Sequence, residues 1–107
     1  MNIIEKTQNN WLVLALTDRL DTQTAPELEK AALGKLAAGG HMALDLTELQ
    51  YISSAGLRVL LMLMKKSKAQ GGKVVLVGVG GMVGEILEES GMDAFFEKFD
   101  NVEALPS

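Results

Sequence analysis

Residues 44–64 constrain this chain more than any other segment. Leu44-Asp45-Leu46 reads as the end of a buried strand, a short polar loop follows, and Ser53-Ser54-Ala55-Gly56-Leu57 reads as the opening of a helix. A serine at that junction, Ser53 or Ser54, falls at the N-cap, where a hydroxyl accepts a hydrogen bond from a free backbone N–H of the first turn. The continuation, Arg58-Val59-Leu60-Leu61-Met62-Leu63-Met64, is too apolar for a surface helix. A hydroxyl is therefore held at a rigid junction beside a hydrophobic element. A phosphoryl group there would add roughly −1.5 to −2 charge at neutral pH, which makes the junction a candidate switch.

The rest of the chain supplies a sheet and further helices. Residues 2–7 predict a first strand, Gln8-Asn9-Asn10 a turn, and residues 11–16 a second, more buried strand, so the two form a hairpin. Residues 18–24 predict a polar loop carrying Asp21. Thr24 is placed as an N-cap, with Pro26 in the first turn and Glu27 three residues on, a capping-box arrangement. Leu28, Ala31, Ala32 and Leu36 share one face of that helix, and Gly39-Gly40 is expected to end it. Residues 42–46 predict a short interior strand and residues 54–70 the second helix, stopped by Gly71-Gly72. Residues 73–79 are a β-branched run, the pattern of a strand covered on both faces. Residues 82–90 predict a third helix, residues 94–99 either a last strand or a helical turn, and residues 102–105 a short terminal helix. The order β-β-α-β-α-β-α-β describes one α/β domain over residues 1–107, parallel from position 24 onward.

Bulk properties narrow the function. The chain has 107 residues and is 48% hydrophobic, enough for a core without staples. Ten basic and 14 acidic residues leave a net charge of −4, which argues against a nucleic-acid partner. With no cysteine, thiolate chemistry and cysteine metal sites are excluded. The start lacks a basic region followed by an apolar one, so no signal peptide is expected, and no apolar run reaches the ~18 residues that span a bilayer. A cytoplasmic protein without metal or cofactor is the expectation.

Each candidate site has an ordinary reading beside the functional one. Ser54 is a phosphorylation site at the carboxyl end of a parallel strand, or a plain N-cap. In the second helix, Leu57, Leu60, Leu61 and Met64 form one stripe, and Val59, Met62 and Leu63 another. One stripe packs on a sheet; the other packs between helices or faces a partner. Gly78-Val79-Gly80-Gly81-Met82-Val83-Gly84 misses the dinucleotide spacing by one residue and has no P-loop lysine, so a turn is favoured over a phosphate cradle. Asp21, Asp45 and Glu48 are better placed to cap loops or face water than to hold a metal. His41 is the only histidine and lies far in sequence from Ser54, which leaves no serine–histidine pair. Lys65, Lys66, Lys68 and Lys73 read as a solvated helix end favoured by the dipole.

Over residues 3–100 the chain resembles a STAS domain, specifically a bacterial anti-sigma-factor antagonist. Members show an apolar strand ending in D-L or N-L, a short loop, then D-S-[SA]-G-[LI] opening a helix, matched here by residues 44–57. Leu20-Asp21-Thr22-Gln23-Thr24-Ala25 matches a second motif, L-D-x-x-T/S-A. Gly71-Gly72 before a Val-rich strand and Ile86-Leu87-Glu88-Glu89-Ser90-Gly91-Met92 match two weaker ones. Ser53 stands where the family usually has Asp, and Asp18-Arg19 where it has G-E.

The resemblance implies a mixed β-sheet with helices mainly on one face and a non-enzymatic, cytoplasmic switch. The unphosphorylated protein would bind an anti-sigma factor that is also a serine kinase of GHKL type. Phosphorylation at Ser54, with Ser53 as second choice, would break the complex, and a serine phosphatase would restore it. The partner-binding residues it implies are Asp21, Thr22, Ser53, Ala55, Gly56, Arg58, Val59 and Met62. No membrane or nucleic-acid partner is implied, and the free protein would be a monomer. A rival expectation is a constitutive STAS binding module of a transporter or other regulatory assembly, never phosphorylated. A third, nucleotide binding through Gly78 to Gly84, would make calorimetric heat with ATP or GTP.

Overall fold

The computed structural model describes residues 1–36 and 40–106. Five strands form one sheet in the order β1-β2-β3-β4-β5. Strands β1 (Ile3–Gln8) and β2 (Trp11–Leu20) are antiparallel, with Gln8 opposite Trp11. The turn between them is Asn9-Asn10, both at positive φ (51° and 70°). A two-residue hairpin turn of type I′ needs φ > 0 at both positions, and asparagine tolerates it. From β2 onward the strands run parallel: β3 (His41–Ile52), β4 (Lys73–Val77) and β5 (Lys98–Phe99). Helices α1 (Ala25–Leu33), α2 (Ser54–Ala69) and α3 (Gly81–Glu89) alternate with them.

The helices cover one face of the sheet. Leu14, Leu16, Met42, Leu44, Leu46, Val74 and Leu76 point from the strands into a core shared with Leu28 and Ala32 of α1, Leu60 and Leu63 of α2, and Val83 and Leu87 of α3. The intervening residues Trp11, Val13, Ala43, Val75 and Val77 face the other way, as the two-residue strand period requires. That second face is closed by the C-terminal segment, where Val102 and Leu105 are buried against it. Two hydrogen bonds pin the segment to the hairpin: Trp11 Nε1 donates to the Pro106 carbonyl at 2.7 Å, and Asn9 Nδ2 to the Leu105 carbonyl at 2.9 Å. The double covering of β4 expected from its composition is therefore present.

Several elements differ from the sequence-based expectation. Strand β3 does not stop at Leu46 but continues through the expected polar loop to Ile52, and β2 continues past Leu16 to Leu20. The two extensions pair with each other, Thr17 with Glu48, Arg19 with Tyr51 and Leu20 with Ile52, across two register shifts. The bulged geometry explains why the pattern hid the strand: the buried residues Leu46, Leu49 and Ile52 recur every three positions, not every two. Asp45 Oδ1 stabilises the irregularity by accepting from the Thr47 N–H at 3.0 Å and the Thr47 hydroxyl at 2.6 Å.

Helix α1 ends at Leu33, with Gly34 as its C-cap, earlier than the expected Gly39-Gly40. Glycine is a poor helix former, so Gly34 is the cheaper place to stop. Gly39 lies outside the described residues, and Leu36 packs partly buried on the core from beyond the helix. Thr24 sits at the N-cap without a side-chain cap bond. Its hydroxyl instead donates to the Arg19 carbonyl at 2.8 Å and accepts from the Asp21 N–H at 2.9 Å. Strand β4 ends at Val77, two residues short of the expected Val79, where Gly78 turns the chain at φ +68°. Residues 94–99 resolve into both alternatives, a 3-10 turn Met92–Phe95 followed by β5. The terminal helix is a single 3-10 turn, Val102–Ala104.

Candidate functional site

Strands β2 and β3 end side by side, and α2 starts from that edge. The Ser53 N–H donates to the Leu20 carbonyl at 2.9 Å, holding the junction on β2, and the Leu57 N–H donates to the Ser53 carbonyl at 2.9 Å, closing the first helical turn. Ser53 is the N-cap in an extended conformation, yet its hydroxyl makes no cap bond. Its Oγ is buried and has no hydrogen-bond partner. Ser54 is the first helical residue and is exposed. The two adjacent hydroxyls are thus unequal, one enclosed and one presented.

Gly56 is buried beneath this turn. A Cβ there would lie 2.8 Å from the Leu20 carbonyl oxygen, from Leu20 Cγ and from Ile52 Cγ1. Gly56 therefore seats α2 on the strand ends rather than offering surface to a partner. The buried face of α2, Gly56, Val59, Leu60, Leu63 and Ser67, falls between the two apolar stripes read from the sequence. Leu57, Met62 and Met64 are left half-buried on its flanks.

The loop from β2 to α1 is built on Asp21. Its Oδ1 accepts from the Gln23 N–H at 3.0 Å and the Thr24 N–H at 3.1 Å. Those bonds hold the carboxyl below its ordinary range: the Thr24 N–H contributes most, partial burial opposes it, and the Gln23 N–H, Arg19 and the Thr24 hydroxyl add to the lowering. Arg19 Nε lies 3.4 Å from Asp21 Oδ2, and its guanidinium stands 4.6 Å over the Tyr51 ring. Asp21 is thus a loop cap, as the ordinary reading had it.

Thr22, Ala25, Pro26 and Glu29 of this loop and α1 face Ala55, Arg58, Val59 and Met62 of α2 across a groove of about 390 Å³. Of the residues expected to bind a partner, the groove brings together Thr22, Ala55, Arg58, Val59 and Met62. Asp21 and Ser54 directly precede the lining residues Thr22 and Ala55, whereas Ser53 and Gly56 do not line the groove. Ala25, Pro26 and Glu29 also line it, beyond the residues expected from sequence; their spacing at i, i+1 and i+4 on α1 is the one sequence signal that groups them.

Other candidates resolve as structure. Gly78 is left-handed, and a Cβ there would meet Thr47 Oγ1 at 2.1 Å. The cavity of about 650 Å³ beside Gly80 and Gly81 is ringed by Glu85, Glu88, Asp93 and Asp100, with Lys98 its one basic side chain. Lys98 is already paired with Asp93. Four carboxylates repel a nucleotide phosphate, which supports the turn reading. His41 stacks on Trp11, 4.9 Å between ring centroids, at the opposite end of β3 from Ser54. Lys73 pairs with Glu97 at 2.7 Å, and Lys66 and Lys68 occupy the last turn of α2. Among the described residues no three His, Asp or Glu side chains are grouped to hold a metal ion, and no helix is long and apolar enough to cross a membrane.

Comparison with known proteins places this arrangement. The family model described as "STAS domain" matches residues 2–105. "Putative anti-sigma factor antagonist BtrV" of Bordetella bronchiseptica is 34% identical over 97 residues, covering 90% of this chain and 84% of that protein. An anti-sigma factor antagonist from Mycobacterium paratuberculosis superposes with a TM-score of 0.84 at 21% identity, covering 95% of this chain and 87% of its own. The Bacillus cell fate determinant SpoIIAA in its phosphorylated form superposes with a TM-score of 0.71 at 16% identity, covering 96% of each chain. The chain belongs to the STAS domain family, among the anti-sigma factor antagonists.

Proposed function

We propose that this chain is the switchable member of a partner-switching module. In its unmodified form the groove between α1 and α2 binds an anti-sigma factor that is also a serine kinase of GHKL type. That kinase phosphorylates Ser54, the complex separates, and a serine phosphatase restores the hydroxyl. The chain itself acts as ligand and as substrate in the cytoplasm, and is a monomer when free. The observation that carries this reading is the contrast at the head of α2: Ser54 is exposed beside the groove, whereas the Ser53 hydroxyl is enclosed.

The physics of the site agrees. A helix N-terminus accommodates an anion, so phosphate on Ser54 leaves α2 folded. Its effect falls on the interface, where the phosphate must be desolvated and meets like charge. That SpoIIAA, which shares the fold, has been solved in a phosphorylated form lends the reading support. The test is intact and peptide mass spectrometry on protein purified from its own host. Phosphate on Ser54 is expected. Phosphate confined to Ser53 would move the site, and none under any growth condition would leave a constitutive binding module, such as a transporter subunit, in its place.

A further inference from the structure

Ser54 and Arg58 lie one turn apart on α2, and both are exposed. Side chains four residues apart on a helix are neighbours, with about 5–6 Å between their Cβ atoms. Arg58 forms no ion pair among the described residues. The other arginine, Arg19, is engaged by Asp21 and the Tyr51 ring. The first turn of α2 carries no acidic residue. Glu29 of α1 lines the same groove as Arg58, yet stands beyond ion-pair distance.

We infer that Arg58 is the intrahelical counter-charge for a phosphate on Ser54. The guanidinium donates two N–H bonds to phosphate oxygens across one turn, the fork geometry that arginine offers and lysine does not. The unpaired N–H groups of the first turn face the same anion. This inference rests on Ser54 being the modified residue, and it adds a second arm to the switch. In the unmodified protein Arg58 is a free cation on the groove wall, available to a carboxylate of the docked partner. Phosphorylation places a repelling charge beside the groove and also withdraws that cation from it.

The test installs phosphoserine at position 54 of the full chain by genetic code expansion and follows its phosphorus NMR signal with pH. The second ionisation of phosphoserine ordinarily lies near pH 6. Arg58 holds it lower, so Arg58→Gln raises it by roughly 0.3 pH unit or more. Arg58→Lys, which keeps the charge, recovers part of the shift. Arg19→Gln moves it less, because Arg19 is committed elsewhere. Salt at about 1 M closes the gap between wild type and Arg58→Gln. Equal titration in wild type and Arg58→Gln overturns the inference, as does a larger shift from Arg19→Gln. The readout needs neither kinase nor partner. A shifted titration with no phosphate on Ser54 in the host leaves the pairing and sinks the switch; an unshifted one with phosphate present does the reverse.

Discussion

Gly56 and Leu20 meet so closely that a Cβ on residue 56 would lie 2.8 Å from the Leu20 carbonyl oxygen. That oxygen also accepts the Ser53 N–H, so it cannot retreat without releasing the start of α2. Gly56→Ala gains up to about 1 kcal/mol of helix propensity, yet must push the helix off the strand ends, and overpacking of this kind costs about 1–3 kcal/mol, more against backbone. The expected outcome is a lower urea midpoint. Gly84→Ala is the control: its Cβ would meet only Val79 Cγ1 at 3.6 Å, an ordinary contact, so stability stays level or rises. A Gly56→Ala protein as stable as wild type would show that the contact does not seat the helix.

The two serines separate by substitution. An N-cap serine replaced by alanine normally costs about 1 kcal/mol, but the Ser53 hydroxyl makes no cap bond and is buried without a partner. Ser53→Ala relieves that unsatisfied group, so it is expected to leave stability level or raise it, and to leave phosphorylation in the host intact. Ser54→Ala abolishes phosphorylation with little effect on the denaturation midpoint. Retention of phosphate by Ser54→Ala would reverse the assignment.

Phosphate at position 54 should act on binding rather than folding. Phosphate that draws Arg58 away from the partner leaves the partner's carboxylate unpaired in the interface, which costs roughly 2–5 kcal/mol and weakens binding roughly thirty- to several-thousand-fold. Calorimetric titration of the kinase proposed as partner with phosphorylated and unphosphorylated chain measures the ratio. Equal affinities would remove the switch, and a Ser54→Glu variant is an inferior substitute because it carries less charge and fewer acceptor oxygens than phosphate.

Asp21 makes stability depend on acid pH. Its folded-state pKa is lowered, chiefly by the Thr24 N–H, so its contribution is complete above the ordinary carboxylate value of about 4 and is lost as pH falls through the lower folded value. The midpoint difference between wild type and Asp21→Asn is therefore present at neutral pH and closes below about pH 4. A difference independent of pH would assign the effect to shape rather than charge.

The element order was legible because each cue is local. The strand–helix alternation, the Asn9-Asn10 turn, the stop at Gly71 and the β-branched run of β4 depend on neighbours within a few residues, and composition and motif alone brought residues 44–57 to attention. What those cues could not carry were features set by a second segment. The extension of β3 through Thr47 and Glu48 exists because β2 also runs on and offers a ladder, and the bulge that joins them breaks the two-residue period. Thr24 looks like a capping residue in sequence, yet its hydroxyl is drawn back to Arg19 and Asp21 by the loop they form.

At the site itself, sequence determined that a serine pair opens an apolar helix after a buried strand. Only the tertiary structure decided which serine is presented. Ser53 is enclosed because the end of β3 is tied to Leu20 of β2, and Ser54 is exposed because the helix begins one residue later. The groove likewise belongs to neither α1 nor α2 alone. Helical periodicity places Arg58, Val59 and Met62 on related faces, but their meeting with Thr22, Pro26 and Glu29 follows from packing both helices on one side of a shared sheet.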